Sequence, residues 1–223
     1  MHANAAIDTI DKRPKPEWER QNDPPTVDEV REAARVAPGE VTVIDTESYL
    51  PGTDRVTVRG HNEPGAWRIG MIGIAHTDAA GRITDTHIVD ATGSPQVMFQ
   101  RAAEKISKEK NPILSWNGRT FDVPVIRRDP TARALIDELA GREHIDIARW
   151  VEATKDTQRV TLTDGGVGVD SAAAVAQSIR EPDTQPDGET MRQLTNYVIT
   201  DVSAVADKYR EMRALAKRSV ASD

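Results

Sequence analysis

Three stretches of the chain carry residues whose types and spacing could do chemistry. Asp45 and Glu47 stand two apart at the end of the apolar run Val41-Thr42-Val43-Ile44. Side chains alternate along a strand, so both carboxylates would share one face. Asp122 lies in PILSWNGRTFDVPVI (112–126), between Phe121 and Val123. An ionised carboxylate in such apolar company is costly unless it is paired or coordinates a metal. Tyr197 and Asp201 stand four apart in ETMRQLTNYVITDVSAVADKYREMRALAKRS (189–219), which puts them on one helical face. Each stretch has a plainer reading as well. Asp45-Thr46-Glu47 could be a solvated strand end, Asp122 the N-cap of a following helix, and Asp201 a solvated residue on an amphipathic helix. Asp187-Gly188-Glu189 repeats the D-x-E triplet, so that spacing alone decides little.

The surrounding pattern predicts the elements that would hold these groups. TVDEVREAARVAPG reads as a short helix with Thr26 as N-cap and Glu29 as its capping-box partner, stopped by Pro38-Gly39. Strands are predicted at 41–48, 67–78, 83–90 and 112–116, with a hairpin turn at Ala80-Gly81 and another turn at Pro51-Gly52-Thr53. Residues 94–110 read as a helix with Ser94 as N-cap and Pro95 at its first position. Residues 120–140 read as helix broken near Asp129-Pro130, and 144–153 as extended and then helical. A helix with a small-residue face is expected at 169–179, a loop at 181–188, and one long helix, straight or bent, at 189–219. Three strands, a helix and a further strand indicate an α/β fold, a mixed sheet with helices packed on it.

Composition narrows the chemistry. The 223 residues include no cysteine, which removes disulfides, thiolate zinc sites and cysteine nucleophiles. A metal would have to be held by carboxylate, His or amide ligands, and oxygen ligands suit Mg²⁺ or Mn²⁺. The five His residues lack zinc spacing, and Ser48 has no His and Asp partners for a hydrolase triad. TDGGVGVD (163–170) lacks the GK[ST] of a phosphate-binding loop and reads as a flexible loop. Trp67, Trp116 and Trp150 read as core residues, and His144-x-Asp146 as structural. The net charge of −7 argues against binding nucleic acid by bulk phosphate neutralisation, although clustered carboxylates at a metal site would inflate it. No apolar run reaches membrane-spanning length, and MHANAAIDTIDKRPKPEWER lacks the apolar core of a signal peptide, so a cytoplasmic protein without membrane partners is expected. Residues 1–40 read as a flexible N-terminal arm with a short helix, and 41–223 as the domain proper.

Taken together and in order, the three stretches resemble the motifs of the DnaQ-like, or DEDD, 3′–5′ exonucleases of the ribonuclease H-like superfamily. The first motif, D-x-E, is matched by Asp45-Thr46-Glu47. The second, N-x-x-x-F-D, is matched by Asn117-Gly118-Arg119-Thr120-Phe121-Asp122. The third occurs in tyrosine and histidine versions, and Tyr197-Val198-Ile199-Thr200-Asp201 fits the tyrosine one. Asn196 occupies the place of the histidine. NGRTFDVPVI followed by HIDI is most similar to stand-alone exonucleases related to the proofreading domain of family B DNA polymerases. The resemblance covers residues 41–212 and implies a ribonuclease H-like mixed central sheet flanked by helices. It implies two Mg²⁺ or Mn²⁺ ions held by Asp45, Glu47, Asp122 and Asp201, with Tyr197 orienting the attacking water. It implies hydrolysis at 3′ ends, mainly of single-stranded DNA. RNA ends or short oligonucleotides are an alternative substrate, and a non-catalytic nucleic-acid or replisome-binding module is a further alternative. Ser48 and Tyr49 fall where relatives contact the terminal nucleotide, and Tyr49 could stack on a base or pack in the core. Asn117 could brace the second-motif turn. Arg119, with Arg127 and Arg128, could meet phosphates or form a solvated face. The arm could dock a polymerase or replication protein, or simply remain a tail.

Overall fold

The structure, a computed structural model, describes residues 25–49, 67–153, 179 and 186–220. It begins with α1 (Val27–Val36), capped as its sequence demands. The Thr26 side chain accepts from the Glu29 backbone N–H, and the Glu29 carboxylate accepts from the Thr26 N–H at 2.8 Å. Then come β1 (Thr42–Tyr49), β2 (Arg68–Thr77) and β3 (Ile83–Asp90). Each pairs antiparallel with the next, and Asp78 to Arg82 closes the tight turn between β2 and β3, with Gly81 at φ 78°. A residue with a Cβ rarely adopts that backbone. α2 (Pro95–Ser107) crosses over to β4 (Ile113–Ser115), which pairs parallel to β1, and β5 (His144–Asp146) pairs parallel to β4. The five-stranded sheet has the order β3-β2-β1-β4-β5.

Two short helices, α3 (Asp122–Arg128) and α4 (Arg133–Leu139), fill the connection between β4 and β5. They are separated at Asp129-Pro130, as the sequence predicted. α5 (Ile147–Ala153) follows β5 directly, and α6 (Gly188–Val220) is one continuous helix. Differences from the sequence reading are small. α2 stops at Ser107 and Ser94 makes no side-chain capping bond; Pro95 alone marks its start. The turn expected at 51–53, the Gly-rich stretch 163–170 and most of the helix expected at 169–179 lie outside the described residues.

Helices flank the sheet, and neighbouring residues of β1 go to different cores. Ile44 joins a cluster with Ile69, Ile72 and Ile74 of β2, Phe99 and Ile106 of α2, and Leu135 of α4. Val43 joins Leu114, Val30 of α1, Trp150 of α5, and Val205 and Tyr209 of α6. This is the period-two alternation of a strand buried on both faces. α1 is therefore packed into the folded unit. The Tyr209 hydroxyl donates to the Pro38 carbonyl at 2.8 Å, and Arg213 Nε to the Ala37 carbonyl at 3.0 Å. Among the described residues no helix is long and apolar enough to cross a membrane.

Candidate active site

β1 delivers Asp45 and Glu47 near its end, just before a register shift against β2 between Glu47 and Ser48. α6 delivers Asp201 to the same point. It can do so because the β2 residue opposite Asp45 is Gly73. A Cβ at Gly73 would lie 2.4 Å from Val198 Cγ1 and 3.0 Å from Val202 Cγ1. The missing side chain is thus the notch in which α6 lies. One ligand atom from each of Asp45, Glu47 and Asp201 lies within 4.8 Å of the others. Among the described residues no other three His, Asp or Glu side chains meet this way.

Asp122 opens α3 and is buried. Its carboxylate accepts a hydrogen bond from the hydroxyl of Thr46, the residue between the two β1 acids. It stands outside the three-carboxylate group, yet close enough to raise the pKa of both Asp45 and Glu47 by repulsion. The turn carrying it is tight. Asn117 takes a positive φ of 59°, and a Cβ at Gly118 would sit 2.4 Å from Ser115 Oγ and 3.3 Å from Asp122 Oδ2.

Electrostatically the acids are frustrated. Burial first, then repulsion from Glu47, Asp122 and Asp201, holds the Asp45 carboxyl well above its usual range. Burial and the charges of Asp201 and Asp122 push Glu47 up to about 8. Burial lifts Asp122 to about 6 against the Thr46 hydrogen bond, and Asp201 to about 6 against the influence of the nearby Tyr197 hydroxyl. Tyr197 is itself shifted upward, by burial and by the neighbouring carboxylates, so it stays a neutral donor. Asp201 Oδ1 is buried without a hydrogen-bond partner. Converging carboxylate oxygens, one of them unpartnered, fit a hard divalent cation, which would reverse the repulsion.

A family model described as RNase_H superfamily matches residues 61–209. The chain belongs to the RNase H superfamily. The match includes Asp122, Tyr197 and Asp201 and starts after β1, so Asp45 and Glu47 are tied to the site by geometry alone. Sheet order and flanking helices agree with that superfamily's α/β fold. No curated protein matches the sequence. A solved structure described as the metal-free form of the E. coli ExoI-ssDNA complex is similar at 10% identity with a TM-score of 0.38. That similarity covers 77% of this chain and 41% of the other, so this superfamily member spans less than half of that protein's length.

The remaining sequence-predicted residues divide by exposure. Ser48 and Tyr49 are buried, at 9% and 4% exposure, which favours packing over base stacking for Tyr49. Asn117 and Arg119 are exposed at the second-motif turn, and the Asn117 side chain accepts from the Thr120 hydroxyl. Arg127 and Arg128 are exposed on α3. Two residues that shape the site escaped the sequence reading, Thr46 and Gly73, and neither carried a signal. His144 and Asp146, read as structural, are both held in hydrogen bonds at the end of the sheet.

Proposed function

We propose that this RNase H superfamily protein is a divalent-metal-dependent 3′–5′ exonuclease of the tyrosine DEDD type. It would hydrolyse terminal phosphodiester bonds of single-stranded DNA and release nucleoside monophosphates. The reading is carried by one observation: Asp45, Glu47 and Asp201 converge from β1 and α6, with Tyr197 one helical turn before Asp201 on the same helix. The order of the three motifs and the tyrosine in the third supply the 3′–5′ polarity and the link to family B proofreading relatives.

Asp45, Glu47 and Asp201 would hold the metal directly, with Asp122 serving a second ion or bracing the first. Two bound divalent ions would supply an acidified attacking water and charge stabilisation on the leaving 3′ oxygen. The protein's own contribution is positional. Tyr197, neutral at working pH, lies beside Asp201 and can orient a water there, but it is no general base. Thr46 fixes the Asp122 carboxylate. Exposed Asn117 and Arg119 border the site where a terminal nucleotide and its phosphate would lie. A non-catalytic binding module is disfavoured, since every acid of the set and the tyrosine are present.

The test is purified protein with 3′-labelled and 5′-labelled DNA and RNA in Mg²⁺, Mn²⁺ or EDTA, with Asp45→Ala as control. Stepwise loss from the 3′ end of DNA, absent in EDTA and in D45A, is expected. Equal hydrolysis by D45A would overturn the assignment, and faster loss from RNA would move the substrate to RNA.

A further inference from the structure

Asp146, the last residue of β5, is a buried carboxylate that the proposed chemistry does not use. It is 3% exposed. Its Oδ1 accepts from the backbone N–H of Asn117 at 2.8 Å and of Ala148 at 3.2 Å, and its Oδ2 from the N–H of Arg119 at 3.2 Å. Both oxygens are thus committed to main chain, and Asp146 is not part of the metal-ligating group. Burial holds its pKa above the usual carboxylate range, and these three N–H donors offset part of that cost.

Two of the three donors belong to the turn that ends at Asp122. That turn also has bonds of its own, from Thr120 and Phe121 N–H to the Asn117 carbonyl at 3.2 and 3.1 Å and from Val123 N–H to the Gly118 carbonyl at 2.8 Å, while at its far end Phe121 packs edge-on against Trp67 and Asp122 accepts from Thr46. Nothing in those internal bonds fixes the turn relative to the sheet. Asp146 does, because β5 pairs with β4 through Ser115↔Asp146, and β4 leads into the turn. The neighbouring His144 reinforces the junction, its Nε2 lying 2.7 Å from Ser115 Oγ.

We propose that Asp146 is a positioning residue for the site. Its carboxylate clamps the Asn117–Phe121 turn to the end of β5 and so sets where Asp122 stands relative to Asp45, Glu47 and Asp201. The inference rests on the nuclease reading for its activity readout and on metal binding for an independent one.

The test is Asp146→Asn, which keeps the size but turns one acceptor into an NH₂ facing a backbone N–H. Outer groups that hold metal ligands typically matter by about 10- to 100-fold in affinity or activity. The Mn²⁺ dissociation constant, measured by titration calorimetry without substrate, is expected to rise at least about tenfold. The kcat on a single-stranded oligonucleotide should fall by a similar factor, with KM little changed. On an Asp122→Asn background, D146N should cost nothing further, because its effect passes through Asp122. Wild-type Mn²⁺ affinity and kcat in D146N would overturn the proposal, as would a full additional loss on the D122N background. Should D146N not fold, Gly118→Ala strains the same turn against Ser115 and should give the same pattern; wild-type Mn²⁺ affinity and kcat in G118A would equally overturn the proposal. Hydrolysis surviving D45A would sink the nuclease reading alone, and the Mn²⁺ titration would still decide the clamp.

Discussion

Glu47 has its pKa lifted to about 8 by burial and by the charges of Asp201 and Asp122, while Asp201 and Asp122 are lifted to about 6. Carboxyls raised in the folded state keep protons that the unfolded chain has already lost. Stability contributed by their neutral forms is complete below the unfolded values near 4, and it is lost as pH climbs through 6 and then 8. The metal-free protein is therefore expected to lose thermal stability steadily from about pH 4.5 to pH 8. Mn²⁺ should restore it most at the alkaline end, and Glu47→Gln should flatten the decline. Melting curves across pH, in EDTA and in Mn²⁺, check this; a flat profile for the wild type would contradict it. Tyr197 belongs to the same scale. Tyr197→Phe removes the hydroxyl near Asp201 but no metal ligand. Cleavage should slow by up to roughly a hundredfold, the cost of a misplaced nucleophile. Mn²⁺ affinity should stay within a few-fold, and calorimetry beside single-turnover rates separates the two.

At the scale of elements, the site depends on how closely α6 lies on β2. Gly73→Ala would put a Cβ 2.4 Å from Val198 Cγ1, so the helix or the strand must give way. Overpacking of this kind costs about 1–3 kcal/mol. It should also cut activity, because α6 carries Asp201. Adding Val198→Ala removes the clashing methyl and should recover much of both losses, which urea unfolding and nuclease assays can follow. The contrast explains what could be read in advance. Asp45 and Glu47 were legible as a same-face pair because strand alternation is local. The break between α3 and α4 was legible at Pro130, and Tyr197 with Asp201 through helical spacing. The notch at Gly73 was not, since RIGMIGIAHT reads only as a buried strand and nothing in it announces a helix overhead. The Thr46–Asp122 hydrogen bond joins residues 76 apart, and the Asp146 clamp crosses 29 positions. Such contacts exist only once the sheet order β1-β4-β5 is set.

For the whole molecule, one helix couples the N-terminal region to the site. α6 presents Tyr197 and Asp201 in its first half, then Tyr209 and Arg213 about three turns on, where they donate to the Pro38 and Ala37 carbonyls. Val30 and Ala34 of α1 are buried at 2% exposure each, in the cluster that contains Val205 and Tyr209. The sequence suggested an arm through residue 40, and the docking of α1 makes its last part a support for α6. Removing residues 1–40 uncovers that cluster and leaves the Tyr209 hydroxyl and the Arg213 side chain without these partners. Burying one valine side chain is worth about 1.5–3 kcal/mol and each hydrogen bond about 1 kcal/mol, so a loss of about 3.5–5 kcal/mol is expected. Denaturant unfolding of the full chain against the truncation measures it. The loss should propagate along α6, so Mn²⁺ affinity should weaken even at temperatures where the truncated protein remains folded. Unchanged affinity together with unchanged stability would mean that α1 rides on the domain without bracing it, and that the position of Asp201 is set by the Gly73 notch alone.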